Sequence, residues 1–182
     1  ASVQVNSIGH PGCREPYKAA LLQHYRSHRS EVCEDCKRRM MRNPLRVLDC
    51  KEPGCQTVKN SAPQIVDQLC DDCRTHFMKA LDILDEADVP YVLMPHLVRG
   101  LDYYGRTVFE YIPASGDETA QSALGAGGRY DALPESLGGR PTPAAGVAFG
   151  MERIIARMRE VNAVVPEPPV PAVFLAQLGE HA

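Results

Sequence analysis

Leu97-Val98-Arg99-Gly100-Leu101-Asp102-Tyr103-Tyr104 runs directly into Gly105-Arg106-Thr107-Val108-Phe109-Glu110-Tyr111-Ile112, and this stretch decides the fold. Its second half is rich in aromatic and β-branched residues, so residues 103–112 read as a long strand. Its first half brings an arginine, a flexible glycine and two phenols to the mouth of that strand. Successive strand residues point to opposite faces, so one of Tyr103 and Tyr104 is expected in the core. Downstream, residues 114–119 read as a loop and residues 121–127 as a returning strand. So short a connection favours an antiparallel pair. The segment Gly125-Ala126-Gly127-Gly128-Arg129-Tyr130-Asp131 strips side chains from a strand end, which lets a ligand approach the backbone. Gly146-Val147-Ala148-Phe149-Gly150-Met151-Glu152-Arg153 then puts Gly150 ahead of Arg153. A helix is expected over residues 145–161, with Val147, Met151, Ile154, Ile155 and Met158 on its buried side. Arginines at a pocket edge pair bidentately with carboxylate or phosphate. Taken singly, each segment has a plainer explanation: a glycine-rich strand is often a bulge, and a first-turn arginine is often a surface residue.

Upstream the pattern is helical. Residues 2–6 alternate like a strand and enter a turn at Gly9-His10-Pro11-Gly12. Tyr17, Leu21 and Tyr25 then recur at helical spacing over residues 14–30. Residues 33–42 form a second expected helix, ended by Asn43-Pro44 because a residue before proline is pushed out of the helical region. Ser61 and Gln64 read as a capping pair that opens a third helix, which places Val66, Leu69, Cys73, Phe77, Leu81 and Leu84 on one face and stops at Pro90. Residues 91–94 are a short strand. Beyond the last helix, Pro166, Pro168, Pro169 and Pro171 make a stiff linker, and residues 172–178 read as one more buried strand.

Composition narrows the function classes. With 182 residues, 44% of them apolar and 24% charged, the chain has the material for a real core. Its net charge of −3 does not mark a bulk nucleic-acid binder. Lys37, Arg38, Arg39, Arg42 and Arg46 nevertheless cluster, either as a solvated helix face or as a patch for a phosphate backbone. No segment approaches the roughly 20 apolar residues that span a bilayer, and residues 1–10 lack the features of a signal peptide. A cytoplasmic protein with no membrane partner is therefore expected.

In that compartment cysteines stay reduced, and the chain has seven, an odd number. Cys33-x2-Cys36 and Cys70-x2-Cys73 together have the four-sulfur makeup of a structural zinc site. Cys50 and Cys55 lie between the pairs as competing ligands. The other reading is a set of thiols used as small apolar residues.

Together and in this order the three segments resemble the histidyl-tRNA synthetase family. Its histidine-specific signature, Arg-Gly-Leu-Asp-Tyr-Tyr, is matched by Arg99 to Tyr104, and the Gly-Gly-Arg-Tyr-Asp segment and motif 3 helix follow in the family's order. Asp35-Cys36-Lys37-Arg38-Arg39-Met40, followed by Asn43-Pro44-Leu45-Arg46-Val47-Leu48-Asp49, resembles the insertion of the bacterial branch. The likeness implies an α+β fold, part of a class II aminoacyl-tRNA synthetase antiparallel sheet with a helical insertion subdomain. On that pattern residues 1–12 are a core strand and 13–88 the insertion. Residues 89–165 are catalytic core, and 166–182 a linker and the start of an anticodon-binding domain. The family's motifs 1 and 2 are absent from these residues, which implies no adenylate formation by them alone.

What the resemblance further implies is a histidine–tRNA ligase: histidine and ATP, with Mg2+, give histidyl-adenylate, and the histidyl group passes to tRNA(His). The family pattern also implies a homodimer. Arg99 would be the catalytic residue, bridging the substrate carboxylate and the α-phosphate. Tyr104 would hydrogen-bond the substrate imidazole with Tyr103 beside it, while Gly127 and Tyr130 floor and wall the pocket. Arg153, with Gly150 before it, would lie against ATP. Ala132, where glycine is common, and Pro134, in a first helical turn, are the departures. Two other readings stand beside this one: the synthetase-like regulatory subunit of ATP phosphoribosyltransferase, and a non-catalytic zinc-stabilised binding module.

Overall fold

The computed structural model describes residues 2–101, 103–113, 123–167, 170–174 and 176. Its frame is a five-stranded sheet in the order β2-β1-β3-β4-β5. The strands are β1 (Ser2–Ser7), β2 (Tyr91–Leu93), β3 (Gly105–Ile112), β4 (Gly125–Arg129) and β5 (Ala145–Phe149). β1 and β2 run parallel, and every other pairing is antiparallel. Between β1 and β2 the chain makes α1 (Pro11–Ser27), α2 (Glu34–Arg42), a 3-10 turn (Pro44–Asp49), α3 (Pro53–Asn60), a second 3-10 turn (Ile65–Gln68) and α4 (Asp71–Glu86). Two more helices follow β4 and β5, namely α5 (Leu133–Ser136) and α6 (Met151–Glu160).

The two faces of the sheet are covered differently. On one face Phe77 and Leu81 of α4 pack with Val5, flanked by Val3, Tyr91 and Phe109. On the other, Val108 and Tyr104 join one apolar cluster that also contains Tyr17, Leu21 and Tyr25 of α1, Val58 of α3, and Val47 and Ile65 of the 3-10 turns. The helices of residues 13–88 therefore share a core with the sheet. Asn6 seals the junction, its side-chain amide donating to the carbonyls of Pro95 and Leu97 at 3.1 and 2.9 Å.

Several expected elements change. The single helix expected from Ser61 is instead two 3-10 or helical pieces, because Leu69 and Cys70 are extended (ψ 135° and 164°). Ser61 closes α3, its hydroxyl donating back to the Thr57 and Val58 carbonyls. α4 starts only at Asp71, where Asp71 and Asp72 favour a helix N-terminus. The face Cys73, Phe77 and Leu81 is buried as its spacing predicts.

Residues 145–161 also divide. Ala145–Phe149 is a strand that pairs with all of β4, and helix begins after Gly150. Apolar runs this short do not separate strand from helix by periodicity. Val147, Met151 and Ile155 are exposed, at 48, 64 and 43%, rather than buried. β3 begins at Gly105, so Tyr103 and Tyr104 precede the strand and do not alternate across it. The loop expected at 114–119 lies outside the described residues, as does the start of the strand expected over 121–127; its end is β4. In the strand expected over 172–178, the described residues 172–174 and 176 carry no strand.

Candidate active site

A cleft of about 1040 Å³ opens over the sheet face opposite α4. That is about the upper end of the range for small-molecule sites. Its floor is one cross-strand row, Gln4–Glu110–Ala126–Ala148, formed because these residues are register partners on adjacent strands. Residues 97–101 and 103–104 form one wall. Arg46, Asp49, Lys51 and Lys59 of the helical region form another, and Gly150, Glu152 and Arg153 the rim.

Arg99 enters this cleft from the loop that leads to β3. Its Nη1 donates to Glu110 Oε1 at 2.6 Å, with both side chains about four-fifths buried (22 and 23% exposed). Its guanidinium carbon lies 5.4 Å from the Tyr104 ring centroid, within cation–π range. Among the described residues the buried Arg99 Nε–H has no hydrogen-bond partner, so a strong donor in the cleft wall is not taken up by them. Glu110, the one carboxylate of β3, is what fixes this arginine. Glu110 was not singled out from sequence, although a charge among Val108, Phe109, Tyr111 and Ile112 was a usable signal.

Tyr103 and Tyr104 stack on each other, with ring centroids 4.8 Å apart and an interplanar angle of 29°. Tyr130 meets both edge-on, at 5.9 and 6.0 Å. Tyr103 and Tyr104 line the cleft, whereas Tyr130 braces them and is not part of the lining. The backbone carbonyl of Tyr104 accepts a 2.8 Å bond from Arg14 Nη1, which ties the pair to α1. Tyr130 reaches its place because β5 has Gly146 there; a Cβ at 146 would collide with the Tyr130 hydroxyl.

Gly127 is not in the floor. It pairs with Phe109 and Val147 on the α4 side of the sheet, one residue out of phase with the lining row. The small residues that open the cleft are Gly125 and Ala126, while Gly128 lies under the Tyr104 ring. Alternation along a strand makes a one-residue error a change of face.

Gly150 and Arg153 line the rim, and Arg153 Nη1 donates to the Ala123 carbonyl at 2.9 Å. Asp102 lies outside the described residues. Pro134 occupies the first turn of α5, where its missing N–H is not needed, and Ala132 is the N-cap residue. Among the described residues the lining carries five arginines and lysines against three carboxylates, which favours anionic ligands. Burial holds the pKa of His96 down, which keeps its ring neutral near pH 7, and burial raises that of Asp49. Beside the cleft mouth, Arg38, Arg39, Arg42 and Arg46 gather around a smaller hollow that also touches Gly100.

The cysteines do not form the site expected of them. The pairs 33/36 and 70/73 sit at the starts of different helices, α2 and α4, and fall in separate clusters. Cys33 and Cys36 gather with Cys50 and Cys55; Cys70 and Cys73 gather with His10 and Cys13. One four-sulfur centre from the two pairs is therefore ruled out. His10-x2-Cys13 repeats the spacing of the two cysteine pairs, a signal present in the sequence and not used.

An α+β sheet with a cation-walled cleft over its central strands is the architecture of a protein with a site suited to small anionic ligands. The pattern of the family described as Histidyl-tRNA synthetase matches residues 36–154. The chain is 49% identical along its whole length to a histidine–tRNA ligase of Dehalococcoides mccartyi, of which it covers 43%. It is 48% identical over 99% of its length to that of Symbiobacterium thermophilum, covering 42% of it. Among solved structures it is similar to the apo histidyl-tRNA synthetase of S. aureus, with TM-score 0.63 and 31% identity. That likeness covers 90% of this chain and 39% of the other. The chain belongs to the histidyl-tRNA synthetase family. It spans less than half the length of these curated relatives.

Proposed function

We propose that these residues supply the histidine-activating side of a histidine–tRNA ligase. The observation that carries the reading is Arg99, held by Glu110 over the Tyr104 ring inside a cationic cleft. Activation of an amino acid joins two anions, its carboxylate and the α-phosphate of ATP. The barrier falls when fixed positive charge stands where negative charge develops. Glu110 occupies one nitrogen of Arg99 and orients the plane; the Nε–H, not taken up by the described residues, supports a role in anion binding. In this reading Arg99 bridges the two reactants, and Tyr103 and Tyr104 give the imidazole a polar, aromatic wall. Arg153 at the rim takes the nucleotide, which enters as its magnesium complex. Gly127 and Tyr130 act from behind, Gly127 by close strand packing and Tyr130 by bracing the tyrosine pair.

The arginines of α2 and its following turn border the cleft mouth, which supports contact with the tRNA backbone beside the reacting end. Pairing of two copies belongs to the same reading and is checked by the mass of the full-length protein in solution. The decisive experiment is histidine-dependent ATP–pyrophosphate exchange by that protein. We expect R99A to lose on the order of 10²–10³ in kcat. R99K should recover little, because lysine lacks the planar fork. Wild-type protein without exchange would overturn the proposal and favour a regulatory role.

A further inference from the structure

We infer that the helical region binds two zinc ions, one at Cys33/Cys36/Cys50/Cys55 and one at His10/Cys13/Cys70/Cys73. This inference is independent of the proposed ligase activity. In each group the four ligand atoms all lie within 4.8 Å of one another. A single tetrahedral zinc, with bonds of about 2.3 Å to sulfur and about 2.0 Å to nitrogen, sets S···S edges near 3.8 Å and N···S edges near 3.5 Å. Cys33 and Cys50 sulfurs are 3.8 Å apart. His10 Nδ1 lies 3.0, 3.5 and 3.9 Å from the sulfurs of Cys13, Cys73 and Cys70.

The two groups are built with one device. Cys33 and Cys70 are both N-cap residues, with φ −66° in each and ψ 163° and 164°. Each turns its backbone N–H onto a sulfur from the other half of its own group: Cys33 to Cys55 at 3.2 Å, Cys70 to Cys13 at 3.3 Å. The Cys36 N–H adds a bond to the Cys33 sulfur at 3.4 Å. Amide N–H groups aimed at sulfur are the outer contacts that orient a metal-binding sulfur.

Ligand arithmetic separates this from the alternatives. The groups use all seven cysteines of the chain, and the eighth ligand is a histidine. Disulfides would leave the three-cysteine group with an odd thiol and no task for His10. All seven are free, and 3.8 Å is far from a bonded length of about 2.05 Å. An iron–sulfur cluster places thiolates on different irons, farther apart than one ion does. Soft sulfur with imidazole in four-fold arrangement selects zinc.

The sites also answer a structural need. α2 and α3 have nine and eight residues, too short to hold themselves. One ion joins them through the intervening 3-10 turn; the other joins the first turns of α1 and α4.

The test is multi-element analysis of the full-length protein purified without chelator. Two zinc ions per chain are expected, falling to one in C55S, one in C73S and none in the double variant. H10A should release one ion faster to a competing chelator. For variants that do not fold, mass mapping of alkylated thiols in the wild type replaces them: all seven protected, and released in two groups on chelation. One zinc or none in the wild type, seven thiols alkylated without chelator, or iron in place of zinc would each overturn the inference.

Discussion

At the scale of single residues, the site depends on what is missing from Gly146 as much as on what Arg99 carries. A methyl at 146 would meet the Tyr130 hydroxyl, and Tyr130 is the brace behind Tyr103 and Tyr104. Overpacking of this kind forces a ring or a strand to shift. We expect G146A to cost about 1–3 kcal/mol, read as a lowered urea midpoint. It should also raise KM for histidine in the full-length protein, since the displaced ring no longer holds its neighbours. An unchanged midpoint together with an unchanged KM would remove Tyr130 from the account.

At the scale of elements, the end of β4 is held by one carboxylate. Asp131 accepts from Arg129 at 2.7 and 3.2 Å and from the Ala144 backbone N–H at 2.9 Å, which lashes the β4 exit to the start of β5. Burial pushes its pKa up, but the Ala144 bond and the Arg129 bond and charge outweigh that and hold it below the usual carboxylate value. A carboxyl whose folded pKa is depressed gives stability that is complete above its unfolded pKa, about 3.9, and is lost as pH falls toward the folded value. Asp131 is partly exposed, so the contribution is on the order of 1 kcal/mol or less. D131N should therefore be less stable than wild type at pH 7, and the two denaturation curves should converge below about pH 3.9. A difference that does not shrink as pH falls below about 3.9 would point to packing instead of charge.

At the scale of the whole molecule, the helical region and the sheet stand or fall together. α4 covers the sheet face opposite the cleft through Phe77 and Leu81, while α1 and the turns after it merge with Tyr104 and Val108 on the cleft side. Truncating Phe77, which is 7% exposed, should cost about 3–5 kcal/mol. Because β3 carries residues of both cores and Val66 packs against both, unfolding of F77A should remain one transition whether followed at the helices or at the tyrosines. Two separated transitions would show the helical region to be an independent domain. Among the described residues no helix is long and apolar enough to cross a membrane.

Sequence alone determined the order of chemistry along the chain: Arg99 with two tyrosines, then a glycine-rich strand, then Gly150 and Arg153, with basic and cysteine-bearing helices before them. It also determined β3 and the buried face of α4, because strand composition and helical spacing are local properties. It did not separate the strand Ala145–Phe149 from the helix that follows, since both patterns fit so short an apolar run. Tertiary structure alone decided which sheet face each strand residue shows, turning Gly127 away from the cleft and bringing Glu110 in to hold Arg99. It also decided how the cysteines sort, sending each pair to different partners. The reason is common to both cases. Register and helix docking are set by contacts between residues far apart in the chain, and spacing along the chain does not contain them.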